Sequence, residues 1–182
     1  MTRLRLTAAL ALAVAACGGE DEPAVELPRL PAHGSTPAGE NYTFDVTRGE
    51  RGKRCLALNT RSPRGASSSD KRCSPPRGSA RSAPAVQLVL TCASRDLSLY
   101  GVVGRTVDVV RLVRPGQTTV AARRFTPPAG HEGTPFLIIT RAGRAGSVES
   151  VDGEKVVWRR ALPAWREICT EGRKSDDAVG TL

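Results

Sequence analysis

Thr106-Val107-Asp108-Val109-Val110-Arg111-Leu112-Val113-Arg114, Pro115-Gly116-Gln117 and Thr118-Thr119-Val120-Ala121-Ala122-Arg123-Arg124 form the stretch that decides the fold. Apolar and polar residues alternate on either side of Pro115-Gly116, the period of a half-buried strand. Proline followed by glycine suits the two central positions of a tight turn, so a β-hairpin is predicted. The inward-facing set moves from Val107 and Val109 to Val110 and Leu112. One residue too many on one face predicts a bulge near Val109-Val110.

The same punctuated pattern extends outward in both directions. Tyr42, Phe44 and Val46 alternate with Thr43, Asp45 and Thr47. Cys55–Asn59, Val86–Cys92 and Leu97–Gly104 are short apolar runs with β character. Phe136–Thr140 is continuously apolar, as a strand buried on both faces would be. Val148–Val151 and Lys155–Trp158 flank the turn signal Asp152-Gly153. Pro163 opens a short C-terminal helical turn through Cys169. Between the second and third strands, Thr60–Pro84 is rich in Ser, Arg, Gly and Pro without periodicity, and is expected as a long irregular loop. Eight or nine short strands with almost no helix predict an all-β sandwich over residues 41–170, with a small barrel as the alternative. Residues 171–182 are expected to be a disordered tail.

Residues 98–158, with Leu99-Tyr100-Gly101-Val102-Val103-Gly104, then Val107-x-Val109, then the Asp152-Gly153 hairpin, resemble the immunoglobulin-like bodies of exported proteins from high-GC bacteria. The resemblance implies an immunoglobulin-like sandwich and carries no activity with it.

The N-terminal residues speak to location. Arg3 and Arg5 precede the eleven-residue run Leu6–Ala16, apolar except for Thr7, which ends in Val14-Ala15-Ala16-Cys17. Eleven residues extend about 16 Å as a helix, roughly half of a bilayer's hydrocarbon core, so a cleaved signal is the better reading than a membrane span. The segment resembles the bacterial lipoprotein signal, with Val14 where leucine is most common. That resemblance implies a signal peptide over residues 1–16, acyl chains on Cys17, and a lipid-anchored protein on the extracytoplasmic face of the cell membrane. Residues 17–40, punctuated by Pro23, Pro28, Pro31, Pro37 and four glycines, are expected to be a tether.

With Cys17 acylated, four cysteines remain, and an even count in an oxidising compartment predicts two disulfides. Cys55–Cys73 with Cys92–Cys169 is the favoured pairing. Cys55–Cys92 stays open, because the runs that carry those residues could be antiparallel neighbours. The spacing lacks the tight C-x-x-C pairs of a zinc site, and no metal or other cofactor is expected.

Charge is uneven along the chain. Residues 18–40 carry five acids against Arg29, whereas Arg48 to Arg81 hold ten basic residues against Glu50 and Asp70, a net +8. In a cytosolic chain this would suggest nucleic acid. Outside the cytosol the available partners are anionic envelope polymers, lipid headgroups or another envelope protein, so no nucleic-acid partner is expected. Arg61, Arg64, Arg72 and Arg77 are the candidate polyanion-binding residues.

Catalytic signals are sparse. His33 falls in the expected tether and His131 in a Pro/Gly loop beside Glu132. Ser68-Ser69-Asp70-Lys71 matches S-x-x-K, but in a Ser/Arg/Pro stretch and not at the start of a buried helix. Asp96, Asp108, Glu149, Asp152 and Glu154 offer no evident acid–base pair, Asp108 and Glu149 sitting at alternate positions expected to face water. The sequence therefore favours a non-catalytic binding or structural module, with an envelope hydrolase acting on wall glycans or peptides as the alternative.

Overall fold

The computed structural model describes residues 26–49, 54–73, 85–92, 94–127, 129, 133–170 and 177–181. It is an all-β sandwich built from three antiparallel sheets and one short helix. In chain order the strands are β1 (Ala32–Ser35), β2 (Asn41–Arg48), β3 (Arg54–Arg61), β4 (Ser67–Arg72), β5 (Ala85–Thr91), β6 (Asp96–Val103), β7 (Val109–Val113), β8 (Val120–Ala121), β9 (Arg123–Arg124), β10 (Thr134–Arg141), β11 (Gly146–Asp152), β12 (Lys155–Leu162) and β13 (Asp177–Thr181). Helix α1 covers Trp165–Thr170. The outer sheets have the orders β1-β2-β3-β4 and β12-β11-β7-β8, and between them lies β13-β5-β6-β10-β9.

The middle sheet is apolar on both faces, and period two sorts its residues between two cores. Val86, Leu88, Leu90, Leu97, Leu99, Phe136 and Ile138 pack against Val110, Leu112, Val148 and Leu162 of the β7–β12 sheet. From the other face Val89, Tyr100, Val102 and Leu137 meet Phe44, Leu56 and Leu58 of the β1–β4 sheet, with Phe125 filling in. All eight residues of β6 are buried. Phe44 meets Tyr100 edge-to-face at 5.6 Å, the geometry aromatic quadrupoles favour, and Phe125 in a tilted arrangement at 5.5 Å. Strands β6 and β10 pair in full register from Thr134↔Val103 to Arg141↔Asp96, so the continuous apolar run of β10 is that of a strand covered on both sides.

The predicted hairpin is β7–β8, paired at Arg111↔Ala121 and Leu112↔Val120, with Gln117 N–H donating to the Arg114 carbonyl across Pro115-Gly116. The face slip before it is real but is made differently. Val107 and Val110 are both fully buried, Val109 is half-buried, and the three-residue step between the buried pair falls where the chain leaves the Gly104–Val107 turn. The ladder irregularity lies in the β11–β12 pair, where the register steps from Ser150↔Trp158 to Val151↔Val156 and leaves Val157 of β12 as the extra residue.

Three expectations are corrected. The irregular loop over 60–84 contains β4, paired with β3 from Leu56↔Arg72 to Arg61↔Ser67. The tether over 17–40 contains β1, and the body reaches back further, since Thr126 donates its N–H to the Pro28 carbonyl and its hydroxyl to that of Leu27. The tail contains β13, which pairs with β5. In each case backbone pairing to an open sheet edge supplies order that the side chains do not advertise.

Both favoured disulfides are present, Cys55–Cys73 and Cys92–Cys169, which excludes the Cys55–Cys92 alternative. The first ties the end of β4 to the start of β3. The second ties α1 to the end of β5 and closes a 77-residue separation.

Two cores on opposite faces of one sheet should respond independently. Phe44→Ala should cost about 3–5 kcal/mol and Leu112→Ala about 2–5 kcal/mol in urea unfolding. The double variant should equal their sum to within about 0.5 kcal/mol, whereas a single continuous core would give a larger coupling.

Candidate functional site

The outer face of the β1–β4 sheet carries an ordered polar array. Register fixes it: Ser35, Asn41, Arg61 and Ser67 stand side by side across four strands, and His33, Thr43, Asn59 and Ser69 form the next row. Neighbours within a row are about 4.8 Å apart, and the rows are separated by two residues, about 7 Å. Ser35 donates its hydroxyl to Asn41 Oδ1 at 3.3 Å, and His33 Nδ1 lies 3.2 Å from Thr43 Oγ1. Asn41, Thr43, Asn59, Arg61, Ser67 and Ser69 line a shallow groove with about 410 Å³ of water-accessible space. No carboxylate lines it. The groove therefore offers amide and hydroxyl groups that both donate and accept, with a guanidinium at one end.

Of the four candidate arginines, the three that are described are not brought together. Arg61 ends β3 on this polar face, and Arg64 is exposed in the adjoining turn, closed by the Ser62 N–H to Ala66 carbonyl bond of 2.7 Å. Arg72 pairs with Leu56, five residues from Arg61 and so about 17 Å along the strand. Alternation places it on the opposite face, turned towards the middle sheet, where Nη1 donates to Gln87 Oε1 at 2.9 Å. Arg77 lies outside the described residues, as do Cys17 and His131. The correction has a simple cause: a strand separates residues that a loop would have allowed to gather.

Beside Arg72, Tyr100 donates its phenol proton to Asp70 Oδ2 at 2.7 Å. Burial, then the bond and charge of Asp70, raise the Tyr100 pKa far above its ordinary value, so this hydroxyl stays protonated and serves as a tie. Gln87 and Tyr100 are cross-strand partners, so two polar links hold β4 over the middle sheet.

Among the described residues the catalytic motifs do not assemble. Ser68 and Lys71, three apart on a strand, face opposite sides; Ser68 accepts from Thr60 Oγ1 and Lys71 Nζ donates to the Arg48 carbonyl. His33 sits on β1. Asp108 accepts the Gly153 N–H at 2.6 Å, which organises the β11–β12 turn where Gly153 has φ of +57°. Asp96 is buried and accepts the Ala38 N–H at 3.3 Å. Glu149, expected to face water, is only 2 % exposed because Arg111 and Arg159, its partners on both neighbouring strands, close over it at 2.9 and 2.7 Å. Burial alone would raise its pKa. Hydrogen bonds and charge from the two arginines outweigh that and hold the carboxyl below its usual value.

Among the described residues no group of three or more His, Cys, Asp or Glu side chains is placed to hold a metal ion, and no helix is long and apolar enough to cross a membrane. The remaining four cysteines are spent in disulfides. No family model, curated protein or solved structure matches the chain.

Sequence reading found Arg61 but missed its companions. Asn41, Thr43 and Asn59 were legible as polar members of alternating strands. Ser67 and Ser69 were not, because Ser67-Ser68-Ser69 carries no apolar residue to mark its faces.

Glu149→Gln tests the ion triad. A depressed carboxyl pKa stabilises the fold above the unfolded value, near pH 4.3, and that contribution disappears as pH falls through the folded value. At pH 7 the variant should be less stable by about 1–2 kcal/mol, discounted for the exposed arginines. The gap should close below about pH 4 when both proteins are melted across pH.

Proposed function

We propose that the protein is a membrane-anchored envelope lipoprotein, tethered through acyl chains on Cys17, whose body is a non-catalytic module for binding a hydroxyl-rich anionic envelope polymer. The observation that carries this reading is the two-row polar array over a groove lined without carboxylates. A polymer with hydroxyls and anionic oxygens needs many modest hydrogen bonds spread over a regular surface. Adjacent donor and acceptor side chains on four paired strands supply them with little conformational cost, since a paired backbone already fixes their positions.

Charge supports the same reading. Arg61 and Arg64 stand at one end of the array, and an arginine meets an acidic oxygen with a forked pair of donors. The chain carries a formal net charge of +9, which draws a polyanion from a distance in a salt-dependent way. The N-terminal signal pattern supports placement at the outer face of the cell membrane, within reach of such polymers.

Full-length protein expressed with its signal should yield an N-terminal peptide beginning at acylated Cys17 by mass spectrometry. Its retention on isolated anionic wall polymer should fall about tenfold or more in the Thr43→Ala/Asn59→Ala/Arg61→Ala variant, as three lost hydrogen bonds imply. The melting temperature should fall only slightly, because Arg61 is exposed and Thr43 and Asn59 are half-buried on the outer face, away from the core. Equal retention of variant and wild type would discard the proposal.

A further inference from the structure

A second site, independent of the polar face, lies at the opposite outer sheet. Val110, Leu112 and Arg114 share one face of β7 and its extension, so an arginine occupies the third position of a core-facing row. It is 7 % exposed. Its Nε and Nη2 are buried without a hydrogen-bond partner, and no carboxylate pairs with it among the described residues. Burial holds its guanidinium below the ordinary arginine pKa.

Around it, Leu90, Leu97, Leu162, Pro163, Trp165 and Ile168 form the apolar part of a cleft between the middle sheet and α1, which a second cation, Arg144, also lines. The cleft is narrow, with about 10 Å³ accessible to water, room for a single oxygen-sized group beside the guanidinium. Its walls are held deliberately. Cys92–Cys169 clamps α1, and Trp165 N–H donates to the Gly143 carbonyl at 3.0 Å. Arg95 lies 4.3 Å from the Trp165 ring centroid, on a residue with φ of +58°, a left-handed conformation that side chains other than glycine seldom adopt. Gly146 is needed here too: a Cβ would collide with the Val113 carbonyl and come within 2.9 Å of Arg114 Cγ. The acid nearest on α1, Glu167, turns back to accept the Ala164 N–H instead of meeting Arg114.

A desolvated cation without a counter-charge is costly, and a bound anion removes that cost. Largely apolar walls around two arginines suit an acid with an apolar body. We infer that the cleft receives the carboxylate of a small apolar acid, an oxygen reaching Arg114 while the apolar part lies against Trp165 at the mouth. A free short-chain acid and the C-terminus of a short apolar peptide share this chemistry.

Thermal melting of the full chain at fixed ionic strength separates the possibilities. Hexanoate and N-acetyl-alanyl-alanine are the two probes, each with its methyl ester as the neutral control. At least one acid should raise the melting temperature in a saturable way while its ester does not, and the stronger response identifies the source. The shift should be lost in Arg114→Leu, reduced in Trp165→Ala, and kept in Arg160→Leu, which removes an exposed arginine. Without ligand, Arg114→Leu should melt no lower than the wild type, because leucine continues the row. No shift with either acid, or a shift that survives Arg114→Leu, would overturn the inference. So would a lower melting point of that variant without any wild-type response, which would assign Arg114 to a buried water.

Discussion

Leu99 and Tyr100 are consecutive residues of β6 that point into different cores, and the architecture rests on that division. A strand buried along its whole length must be apolar on both faces or must satisfy whatever polar groups it carries. Strand β6 does the first along most of its length and the second for most of its polar atoms, Asp96 Oδ1 being left without a partner among the described residues. Leu97, Leu99 and Val103 serve the β7–β12 side, and Tyr100 and Val102 the β1–β4 side. The polar members Asp96 and Tyr100 find the Ala38 amide and the Asp70 carboxylate. With β6 fixed, β5 and β10 take their registers on either side and the outer sheets have a surface to cover.

Polar ties across the layers explain why the β1–β4 sheet is placed where it is. Asp70 and Arg72 turn inward from β4 to Tyr100 and Gln87, which are neighbours on the middle sheet. The other face of the same strand is thereby left to present Ser67 and Ser69 outward. One set of hydrogen bonds thus serves stability and the binding surface together. Cys55–Cys73 fastens the same end of that strand, one residue beyond Arg72.

The strongest strands were legible because their periodicity is apolar: Tyr42, Phe44 and Val46 face the middle sheet as their alternation indicates, and the β7–β8 and β11–β12 turns fall at Pro115-Gly116 and at Gly153. The strands that escaped notice are β1, β4 and β13. They are short edge or near-edge elements whose order comes from backbone pairing and whose side chains are small or charged. Half of the polar face was hidden with β1 and β4, and the grouping of Arg61, Arg64 and Arg72 dissolved once β4 took the place of loop. Arg114 was hidden differently. Its place after Val110 and Leu112 marks it as core-facing, but its position beside Pro115-Gly116 reads as the polar end of a strand.

The central claim is that a doubly covered middle sheet organises both outer layers. Native-state hydrogen exchange tests it most directly. Amides of β6, and of β5 and β10 where they pair with it, should exchange only through global unfolding, with protection equal to the stability measured by urea, while those of β1, β4 and β13 exchange through smaller openings. Exchange of β6 amides at the rate of these outer strands, with the most protected amides in either outer sheet, would contradict the account.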